Sequence, residues 1–263
     1  MFGLFKNKKR VECPVKEDIR QWIDRSMLWL MHSFGESNVK SRKVLTPHHT
    51  DFPIKYDGRH QTAIDTMKIV ATQMELNSDD IHLDIYVEGQ TEIDTGGAFG
   101  NRIFIQQVEG EKYSGGLYWG KQEDNKYHVG IEEKKLKEPP EMVATLAHEF
   151  SHIKLLGEGR IEKNNEPLTD LTTGIFGLGI FNANAAFQTK RSLTSWGWSK
   201  LGYLSQMEWG YALALFAYLR GEQTPKWVEF LSTNVKADFL QSEKFILANE
   251  DIILKSTKTN STE

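Results

Sequence analysis

The sequence predicts an α+β fold in which a small sheet in the first half of the chain precedes a helical second half. In residues 81–87 the apolar side chains occupy alternate positions, which is the period of a half-buried strand. From residue 141 to about residue 253 the apolar side chains recur at the helical period. The 263 residues, of which 39% are hydrophobic, are enough to bury a large core. Strands followed by helices along the chain are typical of the α+β class.

Two helices are predicted before the first strand. Apolar residues follow the helical period over residues 19–31 and again over residues 63–74. Further strands, separated by glycine-rich or charged turns, are predicted at residues 102–108, 116–119 and 127–131. Together these segments indicate a small mixed or antiparallel sheet accompanied by helices.

The pattern favours one domain over residues 16–254, with solvated, flexible tails at residues 1–15 and 255–263. The longest apolar run, Trp209 to Leu219, is predicted to be a buried helix. It is far shorter than a helix that crosses a bilayer, so no integral membrane association is expected.

Charge and cysteine content narrow the classes of protein to consider. Lys and Arg number 32 and Asp and Glu number 36, which gives a net charge of −4. Proteins that wrap nucleic acid are normally basic, so no nucleic-acid partner is expected. The single cysteine, Cys13, excludes an intramolecular disulfide. The N-terminal charges follow a very short apolar stretch, the reverse of a secretory signal, and a cytoplasmic location is predicted.

The chemistry is carried by His148-Glu149-Phe150-Ser151-His152, inside a helical segment that begins at Pro139 and ends near Gly157. Histidines at positions i and i+4 lie on one helix face, so both imidazoles can reach one ion. Glu149 is rotated from His148 by roughly 100 degrees, so it can hold a water and take its proton.

The alternative is a surface helix whose histidines are four residues apart by chance. Apolar residues flank the pair, namely Ala147, Phe150 and Ile153, which indicates a semi-buried face. Burying two imidazoles without a partner is costly, so the pattern favours a metal site. A catalytic zinc site needs a third protein ligand and an open fourth position. The downstream candidates are Glu158, Glu162, Glu166 and Asp170.

An H-E-x-x-H helix followed by a second helix that opens with E-x-x-x-D, here Glu166 to Asp170, resembles the gluzincin branch of the zincin metallopeptidases. The resemblance covers residues 139–181 and implies a zincin-like fold with one zinc ion per chain. It implies that Glu166 is the third ligand beside His148 and His152. It also implies that Asp170 accepts a hydrogen bond from one of these histidines. Glu166 precedes Pro167 and is therefore expected at the extreme start of its helix.

The resemblance carries further expectations. Residues 127–132 are expected to form an edge strand on which an extended peptide lies. Apart from the resemblance, a transition-state oxyanion needs a donor besides the metal, and the candidates are Tyr203 and Tyr211 in a helical segment beyond the site. The alternative for each is a tyrosine of the core or the rim. By spacing alone, Asp170, Gly174 and Gly177 would form a stripe of small residues that lets the second helix approach the first. The alternative is that these glycines mark close packing without any chemistry.

These observations predict a zinc-dependent hydrolase, a metallopeptidase that acts on a peptide or protein with Glu149 as general base. The alternative is a regulatory or protein-binding module that keeps a zincin fold and has a structural metal or none. An exchangeable water on the metal distinguishes the enzyme from a closed site with four protein ligands. His82, on the polar face of the first strand, is expected to be solvated, and His48 and His49 are expected in a loop.

Overall fold

Helices and short strands are arranged as the sequence predicts at the level of fold class. The computed structural model describes residues 11–87, 91–94, 102–105, 116–186, 188–192, 195–199 and 203–250, with only the backbone described for 91–94, 102–105, 188–192 and 195–199. The helices are α1 (Glu17–Ser33), α2 (Glu36–Ser41), α3 (His60–Gln73), α4 (Pro139–His152), α5 (Glu166–Ile175), α6 (Gly179–Ala185), α7 (Gln206–Leu219) and α8 (Thr233–Ala248). The strands are β1 (Ile81–Tyr86), β2 (Thr91–Asp94), β3 (Arg102–Ile105), β4 (Gly116–Lys121), β5 (Tyr127–Glu132), β6 (Gln188–Ser192) and β7 (Ser195–Ser199).

The two predicted N-terminal helices are confirmed as α1 and α3. The apolar face of α1 is buried through residues such as Ile23, Met27 and Leu30. Helix α2 was not predicted, because six residues with only Val39 buried show no helical period. The core formed by these helices continues without a break into the second half of the chain, from Val15 to Ile246.

The mixed sheet has the strand order β1–β5–β4, in which β1 is parallel and β4 antiparallel to β5. The prediction that residues 127–132 form an edge strand is wrong, because β5 is paired on both sides. Parallel pairing joins strands that are distant in sequence, so the order along the chain did not indicate it. Among the described strands, the edge strand beside the predicted site is β4. Strands β2 and β3 pair antiparallel, and residues 106–108 of the predicted strand lie outside the described residues.

Helix α4 lies at the centre of the core and continues through a π-helical turn that ends at Gly157, as predicted. Its apolar stripe of Met142, Leu146 and Phe150 has no exposed surface. Helices α3, α5 and α6 pack around it, and β4 and β5 cover another side. A π-helical turn widens the helix locally and often occurs at functional sites.

The described residues of the helical second half depart from the sequence prediction in two places. The antiparallel hairpin of β6 and β7 lies within the stretch that was expected to be helical. The run 171–181 is divided into α5 and α6 at Gly177, whose φ of +74° places it in the left-handed region that ends helices. The predicted stripe of small residues facing α4 is also wrong. Gly174 faces Trp209 of α7, and Gly177 faces the Lys43 carbonyl.

The predicted tails are described only in part. Residues 1–10 and 255–263 of the predicted tails lie outside the described residues, whereas Val15 is buried. Within the described part of the chain, every helix is too short or too polar to cross a bilayer.

The tight approach at Gly177 gives a stability prediction with a matched control. A Cβ at Gly177 would fall 2.5 Å from the Lys43 carbonyl oxygen, whereas Gly221 has the same φ of +74° and open space around it. We expect Gly221→Ala to lose about 1 kcal/mol from left-handed strain alone. Gly177→Ala should lower the free energy of unfolding by about 1–3 kcal/mol more, because the backbone at Lys43 must move. Urea denaturation measures both, and equal losses would contradict the packing described.

Candidate metal centre

Two helices bring three ligand side chains together at one point of the core. His148 and His152 lie one turn apart on α4, each 5% exposed, with ring centroids 5.0 Å apart and edge to face. Glu166 comes from the first turn of α5. Its Oε2 lies 3.0 Å from Nε2 of His148 and 3.5 Å from Nε2 of His152. One donor atom from each of the three residues lies within 4.8 Å of the others.

The start of α5 aims the Glu166 carboxylate at the histidines. Asn165 caps the helix, because its side chain accepts a hydrogen bond of 3.2 Å from the Leu168 N–H. The Asn164 amide donates to Oε1 of Glu166 at 2.7 Å, which leaves Oε2 facing the imidazoles. Glu166 is therefore the first residue of its helix, as the following proline predicted.

The other candidates for a third ligand are placed elsewhere. Glu158 pairs with Lys154 at 2.6 Å and also contacts Arg160. Glu162 is exposed to solvent. Asp170 lies against the far side of the His148 ring. Among the described residues, only Glu166 joins the two histidines in the donor group.

Asp170 is fully buried and fixes the orientation of His148. Its Oδ1 lies 2.9 Å from Nδ1 of His148, and its Oδ2 accepts hydrogen bonds from the backbone N–H groups of Tyr203 at 2.6 Å and Leu204 at 3.0 Å. A carboxylate only accepts, so Nδ1 of His148 carries a hydrogen toward Asp170, and Nε2 is the atom directed at Glu166. Of the two histidines that the resemblance allowed, the structure pairs Asp170 with His148.

The two candidate tyrosines have different environments. Tyr203 precedes α7 and does not belong to the helix, which corrects the predicted position. Its ring is 43% exposed and stacks against His148 with centroids 6.0 Å apart, so it lies at the rim of the site. Tyr211 is fully buried, and its hydroxyl donates to Asp24 at 2.7 Å. It is a core residue that does not contact the histidines.

Two residues of β4 belong to the site and were missed in the sequence. The Tyr118 ring stacks nearly parallel on His152 with centroids 5.7 Å apart, and its burial, followed by the neighbouring Tyr127, raises its pKa to about 12. A Cβ at Gly116 would lie 2.5 Å from Oε1 of Glu149, so the strand passes directly over this carboxyl. A glycine that opens a strand can mark such a close approach, and this was the only signal available.

Burial sets the protonation of the cluster. Burial opposes charge on His148, but the hydrogen bonds with Asp170 and Glu166 outweigh it and raise the pKa of His148 to about 10. Burial, together with the charge on His148, lowers the pKa of His152 to about 4. Burial raises the pKa of Glu149 to about 7. The pKa of Glu166 is lowered, because the contact with His148 outweighs the effect of its burial. At neutral pH His148 is therefore a charged imidazolium with a hydrogen on each ring nitrogen, and His152 is neutral.

The donor set fits a zinc ion. Ligands about 2.0–2.1 Å from a tetrahedral ion lie about 3.3 Å apart, and the Glu166 oxygen is 3.0 and 3.5 Å from the two histidine nitrogens. Two imidazoles and a carboxylate are a common zinc ligand set. His148, His152 and Glu166 would hold the ion, and Asp170 and Tyr118 would fix the two rings.

Comparisons with protein-family models, with curated proteins and with solved structures found no match to this chain. Membership of the gluzincin branch therefore stays a hypothesis that rests on the two motifs, residues 148–152 and 166–170.

Proton release on zinc binding follows from the pKa of His148. Zinc must displace the Nε2 proton that this ring holds at pH 7, so binding should release at least about one proton. Two ordinary histidines with a pKa of about 6.5 would release only about half a proton together. Calorimetry over the first equivalent of zinc, in buffers of different ionisation enthalpy, measures this number. A release of half a proton or less would contradict the protonation described.

The identity of the third ligand is tested by removing, in two separate variants, the carboxylate of Glu166 and that of Glu158. Glu166→Ala should weaken zinc binding by more than about 100-fold, because losing a residue that only supports a ligand already costs about 10- to 100-fold. Glu158→Ala should leave the affinity within about 2-fold, because this carboxylate pairs with Lys154. Competition with a chromogenic chelator gives both affinities. The reverse result would assign the ligand to Glu158.

Proposed function

We propose that the chain is a zinc-dependent hydrolase that cleaves a peptide bond with Glu149 as general base. One observation carries the proposal. Glu149 is only 2% exposed and lies beside the three candidate ligands without belonging to their donor group. A structural metal site has no use for an additional buried carboxyl, whereas a hydrolase needs one to accept the proton of the attacking water.

The pKa of Glu149 suits this role. Burial raises it to about 7, so the carboxyl is near half-ionised at neutral pH. A base whose pKa lies near the working pH combines adequate basicity with an adequate ionised fraction. Glu149 would take a proton from the attacking water and later deliver it to the leaving amine.

The remaining side chains would hold the reacting groups in place. A bound zinc ion would polarise the scissile carbonyl and lower the pKa of a water molecule. With the ion in place and the Nε2 proton displaced, Asp170 would hold His148 in the tautomer that presents the Nε2 lone pair. Tyr203, at the exposed rim beside His148, is the proposed hydrogen-bond donor to the oxyanion.

The position of β4 supports a peptide as the substrate. Within the described part of the chain no strand pairs with the second edge of β4, and Gly116 and Tyr118 place that strand against Glu149 and His152. An extended peptide could pair with this edge and lie alongside the site. In the proposed enzyme β4 therefore takes the role that the sequence had suggested for residues 127–132.

The proposal is tested by Glu149→Gln, which keeps the size of the side chain and removes the base. With fluorogenic peptide libraries, kcat/KM should fall by at least about 100-fold while one zinc ion stays bound at His148 and His152. Glu158→Gln is the control for a lost carboxylate nearby and should retain activity. A Glu149→Gln protein that binds zinc and cleaves at the wild-type rate would overturn the mechanism.

A further inference from the structure

A second histidine pair lies on the face of the mixed sheet that points away from the core. His82 of β1 and His128 of β5 are directly opposite each other in the parallel register. Their rings stack with centroids 4.6 Å apart. The neighbours Ile81 and Leu83 point to the other face and pack against the core, as alternation along a strand requires. His82 is half exposed, as predicted, but it is not an isolated solvated residue.

Two carboxylates complete this cluster. Asp84 lies on the same face of β1, and its oxygens are 3.2 Å from Nε2 of His82 and 3.5 Å from Nδ1 of His128. Asp124, in the turn between β4 and β5, places Oδ2 3.1 Å from Nε2 of His128. The Lys126 N–H donates to Oδ1 of Asp124 at 3.0 Å. This bond first, and His128 second, lower the pKa of Asp124, so it is a charged ligand at neutral pH.

The stability of the fold alone does not explain why these four side chains lie together. Ion pairs between exposed side chains contribute about 0–1 kcal/mol, and ordering the side chains offsets part of that. Nevertheless, ligand atoms from β1, from β5 and from the turn before β5 lie close together. One nitrogen of each ring and one oxygen of Asp124 all lie within 4.8 Å of one another. Two imidazoles and a carboxylate suit zinc, nickel or copper and do not suit magnesium or calcium.

We propose that His82, His128 and Asp124 bind a second divalent transition-metal ion of the zinc class. Asp84 contacts both rings and orients them. The side chains of the three ligands are 50%, 22% and 45% exposed, so the remaining coordination positions open to solvent. The bound ion links β1 to β5 and to the turn before β5. This site shares no residue with the centre on α4 and does not depend on the proposed hydrolase activity.

The test is the zinc stoichiometry of the untagged full chain, measured by equilibrium dialysis against zinc chloride followed by mass spectrometry. The wild-type protein should bind two equivalents. His82→Ala/His128→Ala should bind one, held by the centre on α4. His148→Ala/His152→Ala should also bind one, held by the sheet. A large excess of magnesium should displace neither ion.

A matched control is available elsewhere on the surface. His48 and His49 form another close pair of rings, with centroids 4.3 Å apart and the planes tilted by 45°, but they have no carboxylate in a shared donor group among the described residues. His48→Ala/His49→Ala should therefore keep both equivalents. Because His82 and His128 are on the surface, circular dichroism should report an unchanged fold for their double variant.

The outcomes separate the two sites. If His82→Ala/His128→Ala keeps two equivalents, or if the wild type binds only the ion that depends on His148, the second site is overturned. If the wild type binds only the ion that depends on His82 and His128, the second site stands and the centre on α4 fails. Asp124→Asn should weaken the second ion and leave the first unchanged, which separates ligand loss from general damage.

Discussion

The hydrogen bond between the buried carboxylate of Asp170 and Nδ1 of His148 is the interaction on which the rest of the site depends. Asp170 has no exposed surface, and its other oxygen accepts the backbone N–H groups of Tyr203 and Leu204. One carboxylate thus joins α4, α5 and the chain that enters α7. A buried charge that loses a partner is strongly destabilising, so these three segments are held in one arrangement. That arrangement sets Nε2 of His148 opposite Glu166 and brings Tyr203 to the rim.

Burial of this cluster produces the chemistry of the site. Burial away from water keeps His152 neutral and raises the pKa of Glu149. The carboxylates of Asp170 and Glu166 keep His148 in its charged, doubly protonated form. Three carboxyl groups face a single imidazolium, and a divalent cation would balance the excess negative charge. Helix α4 can supply both ligands and base because positions i and i+4 share a face and position i+1 does not. Gly116 then lets β4 approach the base closely.

Local patterns predicted the helices α1, α3 and α4 and the strand β1, because each depends on the period of its own residues. The spacing of His148 and His152 predicted their shared face, and Pro167 predicted that Glu166 starts its helix. Contacts between distant segments were not predictable from one sequence. Because β1 pairs in parallel with β5, β5 is not the edge strand that the sequence suggested. The register of the same pairing places His82 opposite His128 and so forms the second histidine cluster. The break at Gly177 was hidden by the apolar residues on either side of it, which suited a continuous helix. The hairpin of β6 and β7 lies in a mostly polar stretch, and its pairing is a contact between two segments that no helical or strand period of its own indicated.

The central claim is that two helices hold one ion through His148, His152 and Glu166, with Glu149 beside it and free to act as a base. Anomalous diffraction at the zinc edge, from crystals grown with one equivalent of zinc, tests this most directly. We expect the strongest peak among the three ligands, with Glu149 unbound and one coordination position open to solvent. An ion with four protein ligands and no open position, or the absence of an anomalous peak at α4, would contradict this arrangement.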